Sequence, residues 1–354
     1  MRLALLTEIP APYRLPLFRA LADEPDVDLR VLFLARTDPR RSYPSPAGDL
    51  GFPHEVLPGH GVVRGGRWTV VSRGTVRALR RVRPDVVVVG GWNQPAFWEA
   101  LAFVRTHRVP LVTWVESTAG DARPGSRPGR LAKRLFVRAS AAFLVPGAAA
   151  ADYLRELGAA PGRIVVAPNA SRLDAPPPRE PPGEICRVLF AGRLAPEKGV
   201  DVLLRAVDGL PVELAVAGAG PERERLEAAA PANARFLGNL QPADLASAYA
   251  HADVFVLPSR SEPWGMVLNE AASAGLALVA TDAAGAAREL VEDGVNGFVV
   301  PAGDAGALRT ALDRLAADPY LRARAGARSR ELAARFTPEA WAEAVAGLAR
   351  QLAR

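Results

Sequence analysis

Short apolar runs rich in Val, Leu and Ile alternate with longer amphipathic or alanine-rich stretches along the chain, and this alternation restricts the fold more than any other feature. Runs that are apolar on both faces belong to strands buried on both sides. Spaced by helical segments, such strands build parallel sheets covered by helices. In the first half the expected strands are 3–7, 28–34, 85–89, 111–115, 142–145 and 164–167. After Asn169 comes SRLDAPPPREPPGE, whose five prolines permit neither a helix nor a central strand. The alternation then restarts with CRVLFAG, VELAVAG, ARFLG, VFVLP, LALVAT and GFVV, and from Asp304 onward the pattern is helical, with Pro319 and Pro338 near helix starts. The expected organisation is a first α/β domain over 1–170, a proline-rich linker over 171–184, a second α/β domain over 185–335 and a terminal helix over 336–354. Two doubly wound Rossmann-like domains of this kind would face a central cleft, with ligands at the carboxyl ends of the strands.

Composition supports a globular chain. At 354 residues, 49% hydrophobic and 23% charged, the protein can bury a core for each domain, which excludes disorder as its main state. The single cysteine, Cys186, cannot form an intrachain disulfide, and the apolar run before Thr7 and Glu8 is too short for a signal peptide; the expectation is a cytoplasmic protein. No apolar stretch approaches the ~20 residues that a membrane-spanning helix needs. The net charge of +6 is uneven: residues 1–170 hold 24 Lys and Arg against 14 Asp and Glu, whereas 171–354 hold 20 against 24. Much of the excess lies in RGTVRALRRVR and RPGRLAKRLFVR, either as solvated helix faces or as a surface for anionic lipid headgroups or acidic substrates. Nucleic acid fits less well, because no aromatic residues interleave with these cations and no zinc or helix-turn-helix pattern is present.

Three segments carry chemistry. In VFVLPSRSEPWGMVLNEAASAG a buried strand leads to Glu262, then Pro263, Trp264 and Gly265, and a helix carries Glu270 in its second turn. Pro263 keeps Glu262 out of helical geometry, so the two carboxylates can act at different places, one at the strand end and one along the helix. The free N–H groups from Gly265 to Leu268 favour an anion such as a diphosphate; the simpler alternative is that both acids only complement the helix dipole. The strand CRVLFAG runs into GRLAPEKG, which sets Arg193 and Lys198 beside a helix start as an anion clamp. AGAGPERERL places Gly218 and Gly220 after the next strand, either for a ligand or for close packing.

Together, GRLAPEKG, VAGAGPERERL, the long segment through VFVLPSRSEPWGMVLNEAASAG and the closing DGVNGFVVPAGD resemble the donor domain of family 4 retaining glycosyltransferases of the GT-B fold, over 186–303. The resemblance implies sugar transfer from a nucleotide diphosphate sugar with retention at the anomeric carbon. Carried over by position, Arg193 and Lys198 would hold the diphosphate and act in catalysis with Glu262, which would meet donor-sugar hydroxyls. Glu270 would take the ribose hydroxyls. Gly218, Gly220, Gly265 and the amides of Met266, Val267 and Leu268 would lie along the nucleotide, with Leu240 near the base. A departing diphosphate needs positive charge, which the two cations and the helix start supply, so neither a metal nor a cofactor is expected. Asp26 and Asp28, the one Asp-x-Asp, read as turn residues, and the four histidines do not cluster.

The first half resembles a bacterial surface-glycan branch of the same family through TEIPAPYRLPLFRAL, GGWNQPAFWEAL and LVTWVEST. It departs from its relatives in having Pro10, Pro12 and Pro16 where many carry a glycine-rich loop, and Trp114, Val115 and Glu116 where many carry a histidine. The resemblance places an acceptor side at Arg14, Asn93 and Glu116, with Glu116 either meeting a substrate hydroxyl or bonded to an arginine. Implied partners are a nucleotide-sugar donor, a hydroxyl acceptor and, peripherally, the inner face of an anionic membrane. By resemblance the last helix packs back on the first domain. A sugar-nucleotide epimerase and a noncatalytic sugar-nucleotide-binding protein are the alternatives.

Overall fold

The computed structural model describes residues 1–40, 48–64, 67–120, 127–170 and 183–354, so the expected linker lies outside the described residues as far as 182. The chain divides into two compact units, one of Met1–Ala170 with Thr337–Arg354 and one of Ser171–Phe336.

The first unit contains β1 (Arg2–Thr7), β2 (Asp28–Phe33), β3 (His54–Val56), β4 (Gly59–Arg64), β5 (Arg67–Ser72), β6 (Val86–Val89), β7 (Leu111–Trp114), β8 (Ala142–Val145) and β9 (Ile164–Val166). Its helices are α1 (Leu15–Ala22), α2 (Thr75–Val82), α3 (Pro95–His107), α4 (Arg127–Ala139) and α5 (Ala148–Glu156). Seven strands form a parallel sheet in the order β3-β2-β1-β6-β7-β8-β9, and β4 pairs with β5 as a separate antiparallel hairpin. The six strands expected from sequence are present within a residue or two of their expected ends. The hairpin and β3 were not expected: Gly59 and Gly61 break the alternation in β4, and three residues of β3 are too few for a period to register.

The second unit contains β10 (Cys186–Ala191), β11 (Val212–Ala217), β12 (Ala234–Gly238), β13 (Val254–Leu257), β14 (Ala277–Thr281) and β15 (Gly297–Val300), parallel in the order β12-β11-β10-β13-β14-β15. Between and after them run α6 (Val200–Val207), α7 (Arg223–Ala228), α8 (Pro242–His251), α9 (Met266–Ala274), α10 (Ala287–Leu290), α11 (Ala305–Ala317) and α12 (Pro319–Ala333), with α13 (Pro338–Leu352) closing the chain. The late helices start where side chains cap them. Asp304, Asp318 and Thr337 accept from the N–H groups of Ala307, Leu321 and Ala340 at 2.9, 2.9 and 3.1 Å, and Pro319 and Pro338 occupy first positions that need no donor.

In both sheets the strand order reverses beside the first strand, between β1 and β6 and between β10 and β13. Crossovers there leave the sheet in opposite directions, so the loops at the carboxyl ends part and open a crevice. The first sheet has a core on each face, one with Phe18 of α1 and the other with Leu79, Phe97 and Phe136 of α2, α3 and α4. The α1 face is completed by α13, whose fully buried Trp341 lies 5.1 Å from the ring of Trp114 and 6.1 Å from Phe18. Trp341→Ala should therefore cost ~3–5 kcal/mol in chemical denaturation, as for other buried aromatics. Trp341→Phe should cost much less, because the lost indole N–H has no hydrogen-bond partner.

Candidate functional site

The second sheet builds its site from loop contacts. Where β10 ends, the N–H groups of Gly192 and Leu194 donate to Ala217 and Ala219 carbonyls of the next loop at 3.0 and 2.9 Å. This brings the two loops into backbone contact: a Cβ added at Gly218 would sit 1.8 Å from the Gly192 oxygen, and one at Gly220 would sit 2.2 Å from that of Leu194. Of the two readings left open for the glycine turn, close packing thus has a definite geometry. The glycines press the basic loop into place.

Lys198 ends a short 3₁₀ turn in that loop, and its Nζ donates to Glu262 Oε2 across the β10–β13 reversal. Arg193 stays exposed, without an ion pair among the described residues. Glu262 is fixed at both backbone groups: its N–H donates to Ala283 at 3.2 Å and its carbonyl accepts from Gly285 at 3.0 Å. Gly265 then takes a left-handed φ of 99° and starts α9, and Trp264 closes the turn by donating its indole N–H to Asn269 at 2.8 Å. The helix start offers fewer donors than its sequence suggests. The Leu268 N–H is not available to an anion, because it donates to the Gly265 carbonyl at 2.8 Å, and the Leu268 side chain is buried in the core. Among the described residues the Met266 and Val267 N–H groups have no backbone acceptor, and they are the donors this turn can offer.

Glu270 faces a partner that sequence reasoning missed. Tyr249, fully buried on α8, donates its hydroxyl to Glu270 Oε2 at 2.8 Å. Burial raises the Glu270 pKa above the ordinary carboxylate range, and the Tyr249 hydrogen bond partly offsets this; burial and the Glu270 charge push the Tyr249 pKa well up. Arg260 was also missed. It grips Asp201 through two contacts of 2.7 Å and donates to the Pro196 carbonyl at 2.9 Å, so the loop bearing Glu262 is tied to the one bearing Lys198. A strand-end arginine and a first-turn aspartate are each ordinary in sequence; only the fold pairs them. Leu240 is half-buried and packs with the core below α8 and α9.

The first sheet holds a second polar cluster at its own reversal. Arg14 donates to Thr7 Oγ1 at 2.9 Å and to Glu116 Oε2, lies 3.9 Å from Glu8, and covers the face of Trp114 with its guanidinium 4.6 Å from the ring centre. Burial lowers its pKa, but Glu116, Tyr13 and Glu8 outweigh this and the net shift is upward. Asn93 donates to the other oxygen of Glu8 at 3.1 Å. Arg14, Asn93 and Glu116 are thus gathered, and Glu8 is the member that joins them. Its signal was its place one residue beyond the first strand. Among the described residues no group of three His, Cys, Asp or Glu side chains is disposed to hold a metal ion.

Comparison with known proteins agrees in both halves. The family model for glycosyl transferases group 1 matches residues 177–332, and that for glycosyltransferase family 4 matches 17–174. The chain is 32% identical over 285 residues to D-inositol 3-phosphate glycosyltransferase of Xylanimonas cellulosilytica, covering 73% of this chain and 67% of that protein. It is 31% identical to glycogen synthase of Mycobacterium tuberculosis over 73% of this chain, and 40% identical to phosphatidyl-myo-inositol mannosyltransferase of Mycolicibacterium smegmatis over 47%. These matches span 66% and 45% of the respective relatives, less than two thirds of each. Among solved structures, sucrose-phosphate synthase of Thermosynechococcus elongatus superposes with a TM-score of 0.78 at 21% identity over 99% of both chains. Anabaena HepE in complex with UDP and glucose does so at 0.73 and 18% over 98% of both. At these identities the likeness establishes the fold, which is GT-B.

The glycine contact yields a stability test. Gly218→Ala should destabilise the protein by ~1–3 kcal/mol more than Gly303→Ala in chemical denaturation, since both add a Cβ at positive φ but only Gly218 meets a neighbouring backbone oxygen.

Proposed function

Because this chain belongs to glycosyltransferase family 4, we propose that it is a retaining glycosyltransferase that moves a hexose-type sugar from a nucleotide diphosphate sugar to a hydroxyl acceptor. The observation that carries the reading is the joining of Lys198 to Glu262 across the β10–β13 reversal, with the Met266 and Val267 amides, which have no backbone acceptor among the described residues, on the helix start that follows and Glu270 one helical turn on. In this reading the diphosphate sits on the first-turn amides of α9 and against Lys198 and Arg193, Glu270 accepts the ribose hydroxyls with Leu240 toward the base, and Glu262 takes donor-sugar hydroxyls. Gly218, Gly220 and Gly265 shape the backbone around it.

Transfer then needs charge placed where charge develops. As the anomeric C–O bond to the diphosphate breaks, negative charge grows on the leaving oxygen, which the two cations and the helix N-terminus stabilise. The new C–O bond forms to the acceptor on the same face, and the acceptor proton passes to the leaving phosphate oxygen. No protein base and no metal ion takes part. Lys198 is held by Glu262 before donor arrives, so it is positioned at little cost when the diphosphate enters. On the acceptor side, Glu8 and Glu116, steadied by Arg14 and Asn93, would accept hydroxyl donors. A lipid-linked glycan is the proposed acceptor, which would bring the protein to the inner face of an anionic membrane.

Release of nucleoside diphosphate from a panel of nucleotide sugars, with and without acceptor, tests the activity. Lys198→Ala should lower kcat ~10²–10³-fold, the scale of losing one donor to a developing anion, while circular dichroism stays unchanged. The Glu270 assignment has a pH signature. An ionised Glu270 accepts the ribose hydroxyls, so nucleoside diphosphate affinity should fall as pH drops through a pKa above the ordinary carboxylate range. Tyr249→Phe removes the hydrogen bond that favours the carboxylate and should move this inflection to higher pH, whereas Glu270→Gln should abolish it. Calorimetry across a pH series reads both, the ligand's own titration being common to all three proteins.

A further inference from the structure

We propose that the outer layer of the first unit, centred on α4, docks on an anionic lipid surface; this rests on the reading above only in taking the acceptor to be lipid-linked. The hairpin β4–β5 and helices α2, α3 and α4 pack on one face of the first sheet through Trp68, Val70, Leu79, Phe97 and Phe136. Their segments, 59–83, 95–108 and 127–139, hold 14 Arg and Lys against a single acid, Glu99. The positive excess of the first half is therefore concentrated on one layer rather than spread over the unit.

Helix α4 shows how that layer meets its surroundings. Positions 127, 130, 131, 134, 135 and 138 recur with the helical period on one stripe, opposite the buried Phe136. Four of them are arginines without an ion pair among the described residues, and the other two are Leu131 and Leu135, 59% and 51% exposed. The remaining cation of the helix, Lys133, turns inward and donates to the Tyr153 hydroxyl at 2.8 Å. Leucines set one turn apart among guanidinium groups suit a bilayer interface: the arginines meet headgroup phosphates while the leucines enter the acyl boundary. On the hairpin, Val62 and Val71 share a face and are 45% and 41% exposed. Other occupants fit less well. A second copy of the same layer would set like charges against each other, and a nucleic acid would find no aromatic side chain on the stripe and would leave the leucines unused.

Sedimentation of the full chain with vesicles of phosphatidylcholine, with and without phosphatidylglycerol, tests the proposal. The expected result is binding to the anionic vesicles only, lost as salt shortens the Debye length to ~3 Å at 1 M. The double variant R130E/R134E should weaken binding roughly tenfold or more. L131S/L135S, with every charge intact, should weaken it several-fold, an effect that a merely solvated face would not show. R235E/R324E, at exposed arginines of the second unit, should bind like the unaltered chain. Circular dichroism and nucleoside diphosphate release from a soluble donor should be the same throughout. No binding by the unaltered chain overturns the membrane reading together with the surface. Binding that survives both stripe variants overturns the surface alone. Tighter binding to duplex DNA than to vesicles, or a dimer dissociated by L131S/L135S, assigns the layer to another occupant and overturns the proposal.

Discussion

Parallel strands bring all their carboxyl ends to one edge, and the loops leaving that edge compete for the same space. In the second sheet this crowding is resolved by backbone contact, with the Gly192 and Leu194 carbonyls lying where side chains at Gly218 and Gly220 would have to be. Everything chemical in the second unit depends on that contact. A loop held by its neighbour's main chain has few conformations left, so Lys198 reaches Glu262 from a fixed base, and the clamp between Arg260 and Asp201 secures the same two loops from the other side.

The central cation of each polar cluster has a carboxylate in reach before any ligand is considered. Lys198 has Glu262, and Arg14 has Glu116 and Glu8. Such pairing offsets part of the cost of withdrawing charged groups from water, and it holds long side chains in one rotamer. Glu270 differs in having a neutral partner. Its buried Tyr249 hydroxyl supplies one hydrogen bond and no countercharge, and burial leaves the carboxylate with a raised pKa.

Period and punctuation made the thirteen-strand framework largely readable. The runs VVVV of β6 and VFVL of β13 have no polar face and could only be central strands, and Asp304, Pro319 and Pro338 stand where helical patterns begin. The short β3 and the glycine-interrupted β4 lack enough period to be seen. Of the candidate site, Arg193, Lys198, Glu262 and Glu270 could be named from the sequence because each sits beside a strand end or helix start within its own segment. Tyr249, Arg260, Asp201 and Glu8 could not, because their importance arises from contacts between segments apart in sequence, 21 residues for Tyr249 with Glu270, 59 for Arg260 with Asp201 and 85 for Glu8 with Asn93. The Leu268 amide failed for a smaller reason: a tight turn at Gly265 consumed a donor that an open helix start would have left free.

The place of α13 has a consequence for how the chain comes off the ribosome. The first unit is interrupted after residue 170 and is completed only by residues 337–354, whereas the second unit is continuous in sequence. During synthesis the second unit can therefore reach its full complement of residues while the earlier unit still lacks Trp341, leaving Phe18 and Trp114 without the ring that covers them. The usual order, in which the amino-terminal domain matures first, is reversed here.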